Sequence, residues 1–102
     1  MDKREYIKRW AENLIGYTTR KYWYFQDAEK EIFDVIKEHM KNVCKNVKVS
    51  LEDVEDTFTY GCSVYYKFRV KCDNEEMIIR AVAYDYVDIE IDELEMYSAN
   101  QW

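Results

Sequence analysis

Hydrophobic positions along this chain change period partway through, and the change divides it into a helical half and a strand half. Asp2 and Glu5 stand three apart, as in a capping box. Behind them Tyr6, Ile7, Trp10, Ala11, Leu14 and Ile15 recur at the spacing of one helix face, and Gly16 suits a C-terminal cap. This pattern predicts a helix over residues 3–15. A second stripe follows Asp27, an N-cap residue type, through Ala28, Ile32, Val35, Ile36, His39, Met40 and Val43. Glu29 and Glu31 fall near its positive end and Lys41 and Lys45 near its negative end, so a helix is predicted over 28–43. Between the stripes Tyr22, Trp23, Tyr24 and Phe25 have no period. Four successive aromatics cannot all face one way, so at least one meets solvent. The segment reads either as an apolar connection closing the core or as a contact surface, including self-association, flanked by Arg20 and Lys21.

From Asn46 the period becomes two. Val47, Val49 and Leu51 predict a strand, and the acidic residues 52–56 read as a turn. Phe58, Tyr60, Cys62, Val64, Tyr66, Phe68, Val70 and Cys72 then share one parity, while Lys67, Arg69 and Lys71 lie on the other. Asp73 and Asn74 predict a two-residue hairpin turn. With Cys72 opposite Glu75, the pairs Val70 with Met77, Phe68 with Ile79, Tyr66 with Ala81 and Val64 with Ala83 are all apolar. Lys71 then meets Glu76 on the other face. After Ala83 the alternation resumes with Val87, Ile89 and Ile91 against Tyr86, Asp88, Glu90 and Asp92. A strand spanning 76–92 would be far longer than usual, and Asp85 falls on the core parity, so a break is predicted near 84–86. Residues 93–102 read as a short helix or an irregular tail docked by Leu94, Tyr97 and Trp102. The expected fold class is α+β. One compact domain spans 1–102, with two N-terminal helices packed on one face of an antiparallel sheet of three to four strands.

Composition refines this picture at two points. The 102 residues contain no proline and two glycines, which leaves no flexible linker. Charge is split: eleven Lys or Arg against eight Asp or Glu in residues 1–50, but four against thirteen in 51–102, within a net charge of -6. That balance argues against direct nucleic-acid binding, which needs cations for phosphates. It favours a cationic partner surface or neutralisation inside the fold. No apolar run reaches the length of a membrane span, and the charged N-terminus lacks a signal-peptide core, so a cytoplasmic location without membrane contact is expected. Three cysteines make no complete disulfide framework, and reduced thiols are the simpler expectation.

The strongest candidate chemistry lies after Arg80, where no basic residue follows and residues 85–95 carry six carboxylates. Asp88, Glu90 and Asp92 would stand about 6.6 Å apart on one strand face, near the spacing of successive phosphates on a nucleic-acid strand, with Glu93 and Glu95 at the rim. The competing reading is local: Lys67, Arg69 and Lys71 neutralise the acids across the sheet, or the charges protect an edge. Catalysis by Asp85 with Asp88 has no supporting pattern, and the acidic run lacks the glycine and ligand spacing of a calcium loop. His39 with Cys44, Cys62 and Cys72 has the count of a zinc site but not its spacing. The sequence therefore leads to a noncatalytic inhibitor without metal or cofactor. It presents a nucleic-acid-mimicking surface of Asp85, Asp88, Glu90, Asp92, Glu93 and Glu95, with Tyr84 and Tyr86 as anchors, to a protein with a basic nucleic-acid-binding groove. Small acidic proteins that mobile elements direct against host defence nucleases act in this way, an analogy of size and charge. The alternatives are a homodimer through Tyr22, Trp23, Tyr24 and Phe25, and a ligand-binding domain or small enzyme with a tyrosine-lined pocket near Asp85.

Overall fold

A computed structural model describes residues 2–57, 63–83 and 88–97. Its elements run α1 (Lys3–Glu12), α2 (Phe25–Met40), β1 (Val47–Thr57), β2 (Ser63–Cys72), β3 (Glu75–Ala83) and β4 (Ile89–Tyr97). The strands form one antiparallel sheet in sequence order, so the class is α+β. No helix among the described residues is long and apolar enough to cross a membrane.

The hairpin of β2 and β3 has the expected register, from Cys72 opposite Glu75 to Val64 opposite Ala83. Tyr66, Phe68, Val70 and Cys72 are buried, as are their partners Met77, Ile79, Ala81 and Ala83. These residues belong to one hydrophobic cluster with Ile7 and Ala11 of α1, Ile32, Ile36 and Met40 of α2, and Ile89 and Ile91 of β4. Burying each large aliphatic or aromatic side chain contributes roughly 1.5–3 kcal/mol, and cross-strand pairing of large with small leaves room beside the sheet for helical side chains.

Local boundaries differ from the sequence expectation where tertiary contacts override the pattern. Asp2 caps α1 by accepting from the Glu5 backbone N–H at 2.8 Å. The helix nevertheless ends at Glu12, because the chain must turn to reach β4. Leu14 remains buried, whereas Ile15 and Tyr6 are exposed. Gly16 takes a φ of +97°, a conformation glycine adopts without steric cost, and donates its N–H to the Ile91 carbonyl at 2.8 Å. Helix α2 starts at Phe25 rather than Ala28, with Tyr24 as its N-cap and no side-chain cap bond. Asp27 lies inside the first turn, where its charge complements the helix dipole.

Three further expectations are corrected. Residues 52–56 are not a turn: β1 continues through them, with a register shift between Leu51 and Asp53 that leaves Glu52 as the extra residue of a bulge. Residues 93–97 are neither helix nor tail but the second half of β4. Cys44 and Cys72 are not free thiols but a disulfide joining the end of the helical half to β2, with Cα atoms 5.4 Å apart. Sequence could not pair them, since three cysteines allow several pairings. Phe58, Tyr60 and Cys62, together with Tyr84, Asp85, Tyr86, Val87 and Trp102, lie outside the described residues.

The hairpin turn strengthens the same junction. Asp73 sits at a φ of +54°, and its carboxylate accepts from the backbone N–H of Asn46 at 2.9 Å and of Lys45 at 3.3 Å. Those bonds, that of Asn46 foremost, hold its pKa below the usual carboxylate value. Turn and disulfide therefore clamp the α2–β1 connection to the end of the hairpin. The bridged residues are 28 apart, for which loop-closure entropy predicts about 3–4 kcal/mol of stabilisation. Urea unfolding of the oxidised chain and of a Cys44→Ser/Cys72→Ser variant should differ by that amount, with the variant's midpoint lower.

Candidate functional site

The face of the sheet opposite the buried parity is built by cross-strand alternation of charge. Lys67, Arg69 and Lys71 of β2 occupy the central positions opposite the buried parity. Arg69 bonds Glu52 from the β1 bulge and lies 3.6 Å from Glu76 of β3, and Lys71 reaches the same Glu76 at 3.5 Å. Cations on the inner strand are thus flanked by acids on both sides.

The acidic strand meets this ladder at Arg80. Pairing of β3 with β4 shifts between Arg80 and Ala81: Arg80 faces Glu93, while Ala81 faces Ile91. Asp92 is the extra residue, and the bulge turns it to the same side as Glu93. The Arg80 guanidinium donates to both Asp92 oxygens, at 3.2 and 2.9 Å, and lies 2.9 Å from the Glu93 carboxylate. It also stacks over the Tyr65 ring at 5.4 Å, a cation–π arrangement. One cation therefore holds two of the carboxylates of the sequence motif. Strict alternation of Asp88, Glu90 and Asp92 is broken at the bulge, after which Glu93, Glu95 and Tyr97 continue the polar side, opposite Arg80, Ile78 and Glu76. Asp88, Glu90 and Asp92 are half-buried, and Glu93 and Glu95 are exposed. A cavity of about 310 Å³ opens here, lined by Glu52, Lys67, Ile78, Arg80, Glu93, Glu95 and Tyr97. Tyr84, Asp85 and Tyr86, and with them the pocket expected around Asp85, lie outside the described residues.

A second acidic row, unremarked in the sequence, lies on α2. Asp27, Glu31, Asp34 and Glu38 are spaced four, three and four apart, which brings them within about 60° of one another around the helix and spreads them over about 16 Å of its length. Asp27, Asp34 and Glu38 are exposed. Lys41 pairs with Glu38 at 3.1 Å. Together with Tyr22, Lys30 and Val35, the four acids line a cavity of about 390 Å³. The aromatic run leads into this row. Tyr22 turns inward, whereas Trp23 is 92% exposed, Tyr24 69% and Phe25 39%.

Glu31 is the anchored member of the row. The phenols of Tyr17 and Tyr22 each donate to its carboxylate at 2.7 Å. Burial raises its pKa, but the two phenol bonds outweigh that effect and the net shift is downward. Tyr17 is pushed up to about 12 by burial first and then by its bond to Glu31. Sequence separations of 14 and 9 residues hid this triad from periodicity.

His39 is part of a clamp between the helices. Its Nε2 lies 2.6 Å from the Trp10 carbonyl, the Trp10 indole N–H donates to the His39 carbonyl at 2.7 Å, and the rings stack at 4.8 Å. Two of the three cysteines that would have completed a zinc set are joined to each other. Among the described residues, no three His, Cys, Asp or Glu side chains form a group able to hold a metal ion. Compared with known proteins, the chain matches no family model, no curated protein and no solved structure.

The triad predicts a pH dependence. A tyrosine whose pKa is raised by folding stabilises the fold fully below its unfolded value near 10 and loses that contribution as pH climbs through the folded value, about 12. Stability should therefore fall between those limits, and ultraviolet titration should resolve Tyr17 as a late-ionising phenol that disappears in Tyr17→Phe. That variant should lose about 1 kcal/mol, a single hydrogen bond to a half-exposed charge. It should also raise the Glu31 pKa, measured by NMR.

Proposed function

We propose that this chain is a noncatalytic binding domain that docks an acidic, aromatic-anchored surface onto a basic site of a partner protein. The observation that carries the reading is the α2 acidic row together with Trp23, which stands two residues before that helix begins and is a large aromatic left almost fully in solvent. Exposed tryptophan at the head of a charged ridge has the composition of an interface hot spot, an apolar anchor with a polar rim. Of the two acidic surfaces, the β4 run is the more neutralised, because Arg80 engages Asp92 and Glu93. The α2 row keeps Asp27 and Asp34 outside the described ion pairs, and is therefore the primary surface. Glu90 and Glu95 extend the acidic character on the sheet.

In its specific form the domain is an antagonist whose carboxylates occupy the positions of phosphates in a nucleic-acid-binding groove. Rigidity supports this version: both rows lie on regular elements, and Glu31 is fixed by two phenols, so little ordering entropy is lost on binding. A cytoplasmic location would keep Cys44 and Cys72 as thiols, whereas their bond suits an oxidising compartment. The second reading, self-association through the aromatic segment, rests on the same exposure of Trp23 and Tyr24.

Affinity capture with duplex DNA as competitor tests the proposal. The captured partner should be a nucleic-acid-binding protein, released both by added duplex and by high salt. Asp34→Lys/Glu38→Lys should weaken capture about tenfold, and Trp23→Ala about thirtyfold, the loss of one hot-spot side chain. A partner retained equally by all variants and indifferent to duplex excludes the mimic. If Trp23→Ala abolishes only self-association, the second reading holds instead.

A further inference from the structure

The two edges of the sheet are not alike. At the β4 edge, residues 16–19 lie alongside the strand: Thr19 N–H donates to the Ile89 carbonyl at 2.9 Å, and Ile91 N–H to the Tyr17 carbonyl at 2.9 Å. At the β1 edge no strand pairs on the outer side among the described residues. Leu51 and Val54 of β1 face Phe68 and Tyr66 across the ladder, so they share the core parity, yet they are 42% and 45% exposed. The apolar face of the sheet runs on past its cover at these two positions.

Charge along the same edge falls into two halves. The first half borders a groove of about 460 Å³ whose lining includes Phe33, Lys37, Lys48, Arg69 and Lys71 and no carboxylate. Arg69 and Lys71 are held by Glu52 and Glu76, while Lys37 and Lys48 take part in none of the ion pairs among the described residues. The second half carries Glu52, Asp53 and Glu55, all exposed. Lysine and a bulge are ordinary protection for an edge. Protection alone, however, does not require the one cation of the strand, Lys48, in its first half and the carboxylates all in its second, nor two uncovered apolar residues near their boundary.

We infer that β1 pairs antiparallel with β1 of a second copy of this chain, about a two-fold axis near the middle of the strand. Antiparallel symmetry sets the first half of one strand against the second half of the other, so the Lys48 region meets the Glu52–Glu55 region twice. With Lys48 opposite Glu55 the axis falls between Leu51 and Glu52, so the two Leu51 side chains flank it, Val54 faces Val49 of the second copy, and the backbone groups of the free edge are satisfied. One arrangement accounts for the split charge, the exposed apolar pair and the unpaired edge. It uses a different surface from the α2 row and stands independently of it.

Sedimentation equilibrium of the full chain over a range of concentrations reads the proposal directly. The weight-average mass should rise from 12.5 kDa toward twice that value. Lys48→Glu and Glu55→Lys should each weaken the dimer about tenfold, since each reversal spoils two symmetry-related cross-strand pairs. The double variant Lys48→Glu/Glu55→Lys exchanges the charges and should restore the wild-type association. This recovery also distinguishes a lost contact from a lost fold. A chain that stays monomeric throughout overturns the inference. So does a dimer that Trp23→Ala dissolves and the β1 variants leave intact.

Discussion

The register of the β2–β3 hairpin is the constraint on which the rest of this fold depends. A slip of one residue would send Tyr66, Phe68 and Val70 to the face that carries Lys67, Arg69 and Lys71, burying cations and exposing the core. Once the register is set, both faces are determined together: one joins the hydrophobic cluster of the helices, and the other becomes a row of cations that recruits acids from its neighbours. The Asp73 turn and the Cys44–Cys72 bond sit at the closed end of this hairpin and deliver the helical half of the chain to it.

The two acidic surfaces differ because their supports differ. On the sheet, acids lie one strand away from cations, and an added residue in β4 brings Asp92 and Glu93 to a single guanidinium. On α2, acids recur along one face, with Lys30 at its border and Lys41 paired to Glu38 at its end. A similar number of carboxylates thus has different meaning in the two places: in β4 much of the charge is satisfied internally, and along α2 much of it is directed outward. The phenols of Tyr17 and Tyr22 stiffen the second surface without cancelling its charge, since a neutral donor fixes a carboxylate but leaves it ionised.

What could be read from the sequence was what repeats at short range. The hairpin pairs from Val70 with Met77 to Val64 with Ala83 were legible because the two-residue turn at Asp73 and Asn74 sets a register in which each of them is apolar. The bulges at Glu52 and Asp92 were not, since a single added residue looks the same as continued alternation until its partner strand is known. Residues 52–56 resembled a turn because their acids suit solvent, and an edge strand with cationic neighbours suits them equally well. The joining of Cys44 to Cys72 and the convergence of Tyr17 and Tyr22 on Glu31 depend on how helices and strands come together, which no local period encodes. On the candidate surface, the sequence drew attention to the densest acid run, whereas the less conspicuous four-three-four spacing on α2 carries the more outward charge.

The strap formed by residues 16–19 has a consequence for how far each margin of the sheet lies open. By taking the backbone groups of Ile89 and Ile91, it stoppers the start of one sheet margin, and the kink at Asp92 follows immediately. A margin closed at that point cannot accept an incoming strand along its full length without first displacing part of its own chain. The two margins of the sheet are therefore unequal in the length of free edge they offer. A strand arriving at this margin would find only the stretch after Asp92 open to it, so the strap sets where along β4 the edge can be approached.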